Sequence, residues 1–259
     1  MTTPIVSFPQ IVEHYAHFYE AVFSKKTFIQ FKRYISGLLI SENKTIDGIN
    51  RLFVEEQRNQ SSLNRLLTEY SWSPQELNEA RLAMLNSVPG TKIKKTTGVL
   101  GLDDSLLSHY GQNFEKIALL WDHVSHSYVW AHNLVTLHYS DEQTDYPIES
   151  QLWQPADLDK LEVGLPAVGV PLKESKFTLK ETDPKKWRQY LLGVWSRHQG
   201  KPAVAELHQS KLLIGRQMIQ AWVDQHPDLK LPVTFDSWYT QPAFCRFLTD
   251  TVKLPYVVP

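Results

Sequence analysis

The chain has 259 residues, 42% of them hydrophobic and 21% charged, with a net charge of −1. That balance excludes a disordered or collagen-like chain and suits one that buries a core. No apolar run approaches the roughly 18 residues of a membrane helix, and a single cysteine, Cys245, excludes an internal disulfide. The opening MTTPIVSFPQ lacks the basic start and apolar centre of a secretory signal, so a cytoplasmic chain with no membrane partner is expected. The first hundred residues carry twelve Lys and Arg against nine Asp and Glu, which leaves the front mildly basic and the remainder mildly acidic. An ordinary surface gives the same imbalance, so charge alone assigns no partner.

The first ninety residues have helical periodicity. Ile11, Tyr15, Phe18 and Val22 share one helical face, as do Phe28, Phe31, Ile35 and Leu38. Ile46, Ile49 and Phe53 follow, then Leu63, Leu66, Leu67 and Tyr70. SPQE at Ser73–Glu76 is a helix start: Ser73 caps, Pro74 suits the first turn, and Glu76 reaches back to the cap. KIKKTTG, from Lys92 to Gly98, is a basic linker, and the texture changes after it. Val99–Leu102 is expected as a buried strand, with Ile117–Trp121 and Tyr128–Tyr139 as two more joined by a polar turn. Tyr139–Pro147 is expected as a loop. Further along, Pro184–Trp195 and Lys211–Gln225 have helical patterns, VTF is a short strand ending on Asp236, and Gln241–Val252 is another helix. The order predicts a helical domain over 1–92 and a mixed α/β domain over 93–259.

Two of these strands run into an acid followed by serine, in GLDDS and in TFDSWY. Parallel strands present their carboxyl ends to a common crevice. Carboxylates meeting there repel each other unless a cation intervenes. A hard divalent ion such as Mg²⁺ needs only one or two protein carboxylates together with waters and substrate phosphates. The bland alternative is that each acid caps a turn, and spacing alone does not decide between the two.

The stretches GVLGLDDSLLSHYG, WDHVSHSYVWAHNLVTLHY and LPVTFDSWYT, in that order and after the helical FKRYISGLL, resemble insertion-sequence transposases of the DDE type. The resemblance covers most of residues 25–255. It implies a ribonuclease-H-like catalytic domain, Mg²⁺ or Mn²⁺ as cofactor, and DNA as partner, both at terminal inverted repeats and at a target. It implies a homodimer in a synaptic complex and a nucleoid-associated location. Carried over by position, Asp104 corresponds to the first catalytic and metal-binding acid, with Asp103 as the fallback, and Asp236 to the second. A variable connection falls at about 141–210. The family's third acid, a glutamate, has no counterpart: only Asp250 follows Asp236. The resemblance therefore implies an incomplete catalytic domain, truncated at its C-terminal side, with a non-catalytic DNA-binding remnant or transposition inhibitor as the alternative reading.

Lys25, Lys26, Lys32 and Arg33 form one candidate phosphate-binding patch, and Lys92, Lys94 and Lys95 another. His123, His126, His132 and His138 suggest zinc, but no cysteine ligands or H-E-x-x-H frame accompany them, so turn and strand positions are the better reading. His132 and Asn133 are placed to support the acids from mid-strand. Cys245 is expected in the core. Ser105 and Ser237 lack a nucleophile elbow, and no Gly-rich phosphate loop occurs.

Overall fold

The computed structural model describes residues 4–54 and 59–258. The chain divides into two compact units, Met1–Ile93 and Lys94–Pro259.

The first unit is helical. It contains α1 (Gln10–Tyr15), α2 (Lys25–Ile40), α3 (Ile46–Asn50), α4 (Gln60–Thr68) and α5 (Pro74–Ser87). Ser24 caps α2 by accepting from the Thr27 amide, and Ser73 caps α5 by accepting from Glu76 N–H. Ile5, Ile49, Leu52, Phe53 and Leu63 form a core, with Phe8, Tyr34 and Leu38 against it. Helix α2 departs from the expected pattern. Its most buried stripe is Thr27, Gln30, Arg33, Ser36 and Gly37, whereas Phe28, Phe31, Ile35 and Leu38 are only half-buried. The stripe tolerates polar groups because they bond to one another: Arg33 donates to Gln30 Oε1 and Asn50 Oδ1, each at 3.0 Å. Phe31 instead joins Tyr15, Tyr19, Ile35 and Met84 around a shallow apolar groove.

The second unit is built on a six-stranded mixed sheet. Its strands are β1 (Val99–Ser108), β2 (Ala118–Asp122), β3 (Ser127–Ser140), β4 (Asp145–Trp153), β5 (Val233–Phe235) and β6 (Tyr256–Val257). Strand β1 lies at the centre. β3 flanks it antiparallel on one side, and β5 then β6 continue parallel on the other. β2 and β4 share the far edge of β3, β2 along Ser127–Ala131 and β4 along Asn133–Ser140. The arrangement is a ribonuclease-H-like mixed sheet preceded by helices.

Two expectations change. Strand β1 does not stop before its acids but runs on to Ser108, because the 14-residue β3 offers partners as far as Ala131. The segment expected as a loop and the start of a variable connection contains β4, a full edge strand on β3. Between β4 and α10 (Lys211–Gln225) lie α6 (Leu158–Ala167), α7 (Leu179–Thr182), α8 (Pro184–His198) and α9 (Pro202–Ala205). Leu161, Leu165, Trp187, Leu191, Val194, Trp195 and Val204 give these helices a core of their own. Helix α11 (Pro242–Arg246) and a wider turn over Phe247–Thr251 connect β5 to β6.

Helix α10 covers one face of the sheet. Ile214, Gly215, Met218, Ile219 and Trp222 are buried along it, at helical spacing. Gly215 allows close approach: a Cβ there would stand 2.6 Å from Leu102 Cδ2. Side chains alternate along β1, so Leu100, Leu102 and Asp104 face α10 together. Four helical residues rise about 6 Å and two strand residues advance about 6.6 Å. Gly215 over Leu102 therefore sets Lys211 over Asp104.

Candidate functional site

The strand register explains how two acids far apart in sequence meet. β1 and β5 run parallel with Leu102 beside Phe235, and the next residues are Asp103 and Asp236. Asp103 and Asp104, from within β1, and Asp236, just past the end of β5, line one cleft of about 570 Å³. Asp103, Asp104, Asn133, Trp153, Lys211 and Asp236 are among its lining residues.

Asp104 is the most heavily partnered of these acids. Its Oδ2 accepts from Lys211 Nζ at 2.6 Å and from Asn133 Nδ2 at 2.7 Å, and its Oδ1 accepts from the Tyr239 hydroxyl at 3.1 Å. Asn133 reaches it diagonally across the β1–β3 ladder, since Asp104 itself sits opposite Val135. Tyr239 is fully buried. Burial, and then the Asp104 carboxylate, push its phenol well above the usual range, so it remains a neutral donor. Asp103 is exposed and lines the same cleft; its Oδ1 accepts from the Asp104 amide at 2.8 Å. Asp236 is exposed at the end of β5. Its Oδ1 accepts from the amides of Trp238 and Tyr239 at 3.0 and 3.4 Å, which caps the short turn Ser237–Tyr239. Its Oδ2 has no hydrogen-bond partner among the described residues. The turn-capping role and the cleft-lining role are therefore both present in one side chain.

Lys211 is the contributor that sequence reasoning missed. It stands in the first turn of α10, behind the cap at Ser210, 107 residues beyond Asp104. Its ammonium lies 4.9 Å from the Trp153 ring centroid and 5.3 Å from that of Trp238. The lysine at the head of the predicted helix was visible, but no local pattern indicated its partner.

A family model described as DDE superfamily endonuclease matches residues 17–259. The chain belongs to the DDE superfamily endonucleases. It is thus a DDE-type, transposase-like protein of a family with nuclease and transposase-type activity on DNA, one that generally uses divalent metals such as Mg²⁺. No curated protein shows significant similarity to the chain.

The donors in this DDE cleft are hard oxygens. Asn133 is only 3% exposed and lines the cleft, and its buried Oδ1 has no hydrogen-bond partner among the described residues. A buried acceptor left open is costly, and a bound cation would satisfy it. Asp104, Asp236 and Asn133 line the cleft with oxygens of the kind a hard ion takes alongside waters and phosphate. Among the described residues, no group of three or more His, Cys, Asp or Glu side chains is placed to hold a metal. Asp122 lines the cleft, but its oxygens accept from Val124 and Ser125 in the hairpin turn. Asp250 is exposed and hydrogen-bonded to Thr249, away from the residues that line the cleft.

The remaining sequence candidates scatter. Arg33 requires correction: it is fully buried, held by Gln30 and Asn50 and stacked on Phe53, and cannot reach a phosphate. Lys32 is bonded to Glu13 at 2.9 Å and lies over the Phe8 ring. Lys94 pairs with Asp141. Lys25, Lys26, Lys92 and Lys95 are exposed. His132 bonds His109 and the Glu115 carbonyl, His138 pairs with Asp145, and His123 and His126 sit in the exposed hairpin turn. Cys245 is half-buried rather than in the core. No described helix is long and apolar enough to cross a membrane.

Proposed function

We propose that the second unit cleaves DNA phosphodiester bonds at the Asp104–Asp236 cleft, as the catalytic part of a transposase acting at the ends of an insertion sequence. The observation that carries this reading is that Asp104, within β1, and Asp236, just past the end of the adjacent parallel β5, line one cleft beside an amide oxygen that is buried with no hydrogen-bond partner among the described residues. Asp104 and Asp236, with Asn133 Oδ1, would hold a divalent cation, Mg²⁺ or Mn²⁺. When bound, such an ion lowers the pKa of water and offsets charge developing on phosphate oxygens.

The chain's own residues do the rest. Tyr239 and Asn133 fix the Asp104 carboxylate from two sides, which restricts it to one orientation. The backbone amides of Trp238 and Tyr239 turn Asp236 Oδ1 inward along its own loop, so Oδ2 is the oxygen left to a ligand. The half-exposed Trp238 and Trp121 form an aromatic rim suited to stacking against bases.

The helical unit is assigned to DNA backbone contact through Lys25 and Lys26. These lysines occupy the first turn of α2, which holds no acid. Cations at a helix N-terminus oppose the helix dipole by about 0.3–1 kcal/mol each. The helix dipole therefore does not explain them; Lys26 also lies 5.7 Å from the Tyr70 ring centroid, and phosphate binding is the role assigned to both. Lys92 and Lys95 are assigned the same role.

The test is nicking of supercoiled plasmid in Mn²⁺. The wild-type chain should nick, while Asp104→Asn and Asp236→Asn should each lose at least about a hundredfold in rate and retain DNA binding. Equal nicking by all three would refute the reading. DNA binding with no nicking by the wild type at any metal concentration would favour a non-catalytic DNA-binding protein.

A further inference from the structure

Lys211 places a monovalent cation on the carboxylate assigned to a divalent one. Its Nζ is 2.6 Å from Asp104 Oδ2, and the two side chains are only 16% and 19% exposed. At that distance and burial the pair is screened far less than a surface ion pair. The contact is also built in: Gly215 seats α10 on Leu102, and this fixes the height of Lys211 above Asp104. A lysine head carries three rotatable donors on a flexible four-carbon stem. The two indoles, Trp153 and Trp238, flank the ammonium at 4.9 and 5.3 Å and attract it through their ring faces. The ammonium makes these aromatic contacts while it is paired with Asp104, so it is held within the cleft by the carboxylate and both rings together.

We propose that Lys211 is a positioning residue that holds the cation's place on Asp104 and yields it when a nucleic-acid phosphate draws the ammonium away. The inference rests on the assignment of Asp104 as a cation ligand. Lys211 and an incoming divalent ion compete for one carboxylate oxygen, and their like charges exclude simultaneous close binding. Divalent-ion affinity is therefore low in the DNA-free chain. A phosphate entering the cleft pairs with the ammonium, frees Asp104, and raises that affinity. By linkage, the ion raises affinity for the phosphate by the same factor.

The test is binding of Mn²⁺ alone, followed by calorimetry and tryptophan fluorescence, to the full chain and four variants. Lys211→Met should bind Mn²⁺ about tenfold more tightly than the wild type, and Lys211→Gln should do the same if the methionine variant fails to fold. Lys211→Arg, which keeps the charge, should bind within about twofold of the wild type. Asp104→Asn should show no saturable binding. A short DNA duplex should tighten Mn²⁺ binding to the wild type by a larger factor than to Lys211→Met. Equal or weaker Mn²⁺ affinity in Lys211→Met and Lys211→Gln overturns the competition, and equal enhancement by DNA overturns the transfer to phosphate. If Asp104→Asn binds like the wild type, the carboxylate assignment itself has failed; if it loses binding while the Lys211 variants do not tighten, the failure belongs to Lys211 alone.

Discussion

Gly215→Ala should destabilise the chain, although Gly→Ala in a helix ordinarily stabilises. At a solvent-facing helical position the exchange gains about 0.5–1 kcal/mol. Here the new Cβ would stand 2.6 Å from Leu102 Cδ2 and 3.3 Å from Cδ1. Ordinary carbon contacts lie at about 3.5–4.0 Å, so α10 and β1 must separate by about 1 Å or Leu102 must leave its rotamer. Leu102 is 1% exposed and has little room to turn. Overpacking of this kind costs about 1–3 kcal/mol. Set against the helix gain, the net loss is about 1 kcal/mol. A shift of about 1 Å at Gly215 also carries Lys211 off Asp104, so DNA-free Mn²⁺ affinity should rise as it does for Lys211→Met. Urea denaturation followed by tryptophan fluorescence gives the stability, and the double variant with Leu102→Ala should show a favourable coupling of about 1 kcal/mol. A Gly215→Ala chain that is more stable than the wild type, with no coupling to Leu102, would show that α10 is not seated on β1 as described.

Other consequences are open to measurement. Replacing Lys25 and Lys26 by Glu should raise thermal stability by a few tenths of a kcal/mol each while lowering DNA affinity; replacing both by Ala should reduce the slope of log K against log salt by about 0.9 per lysine, and an unchanged slope would remove them from the interface. Tyr239→Phe should cost about 1.5 kcal/mol, the value of a hydrogen bond to a charged acceptor, in a melting experiment at pH 7. The His208 ring is held to a pKa of about 4 by burial and then by Arg188 and Lys160. Its ordinary value in the unfolded chain is about 6.5. The folded state therefore binds fewer protons than the unfolded state between these values, so the contribution of the neutral ring is present above about pH 6.5 and lost as pH falls towards 4. Water screening of the partly open ring reduces this to about 1–2 kcal/mol; a His208→Gln chain should show a flatter stability curve over that window.

Much of the second unit's core was legible because it obeys simple periodicity. The apolar VLGL and VTF runs end on acids, and the period of two along β1 already places Asp104 with Leu100 and Leu102. His132 and Asn133 were both expected to support the acids from mid-strand; Asn133 bonds Asp104, whereas His132, the next residue along the strand, bonds His109 and the Glu115 carbonyl instead. Strand β4 was not legible: DYPIESQLW contains Pro147 and acids at alternating positions, a pattern that resembles a loop. The strand tolerates them because it lies at the sheet edge, and a register shift between Leu137 and His138 accommodates the proline. Arg33 was misread because a basic residue on a helix is normally solvated, and only the folded positions of Gln30, Asn50 and Phe53 reveal its burial. Lys211 was hidden for a different reason. Its partnership with Asp104 depends on how closely α10 packs against β1, and that distance is set by the absence of a side chain at Gly215.

The central claim, a divalent-cation site at Asp104 and Asp236, is tested most directly by a crystal structure of the chain in Mn²⁺ with anomalous data. The account predicts one strong anomalous peak in bonding contact with carboxylate oxygens of both Asp104 and Asp236, with Lys211 Nζ displaced from Asp104 Oδ2. Manganese bound elsewhere, with the Lys211–Asp104 pair intact at saturating ion, would contradict it.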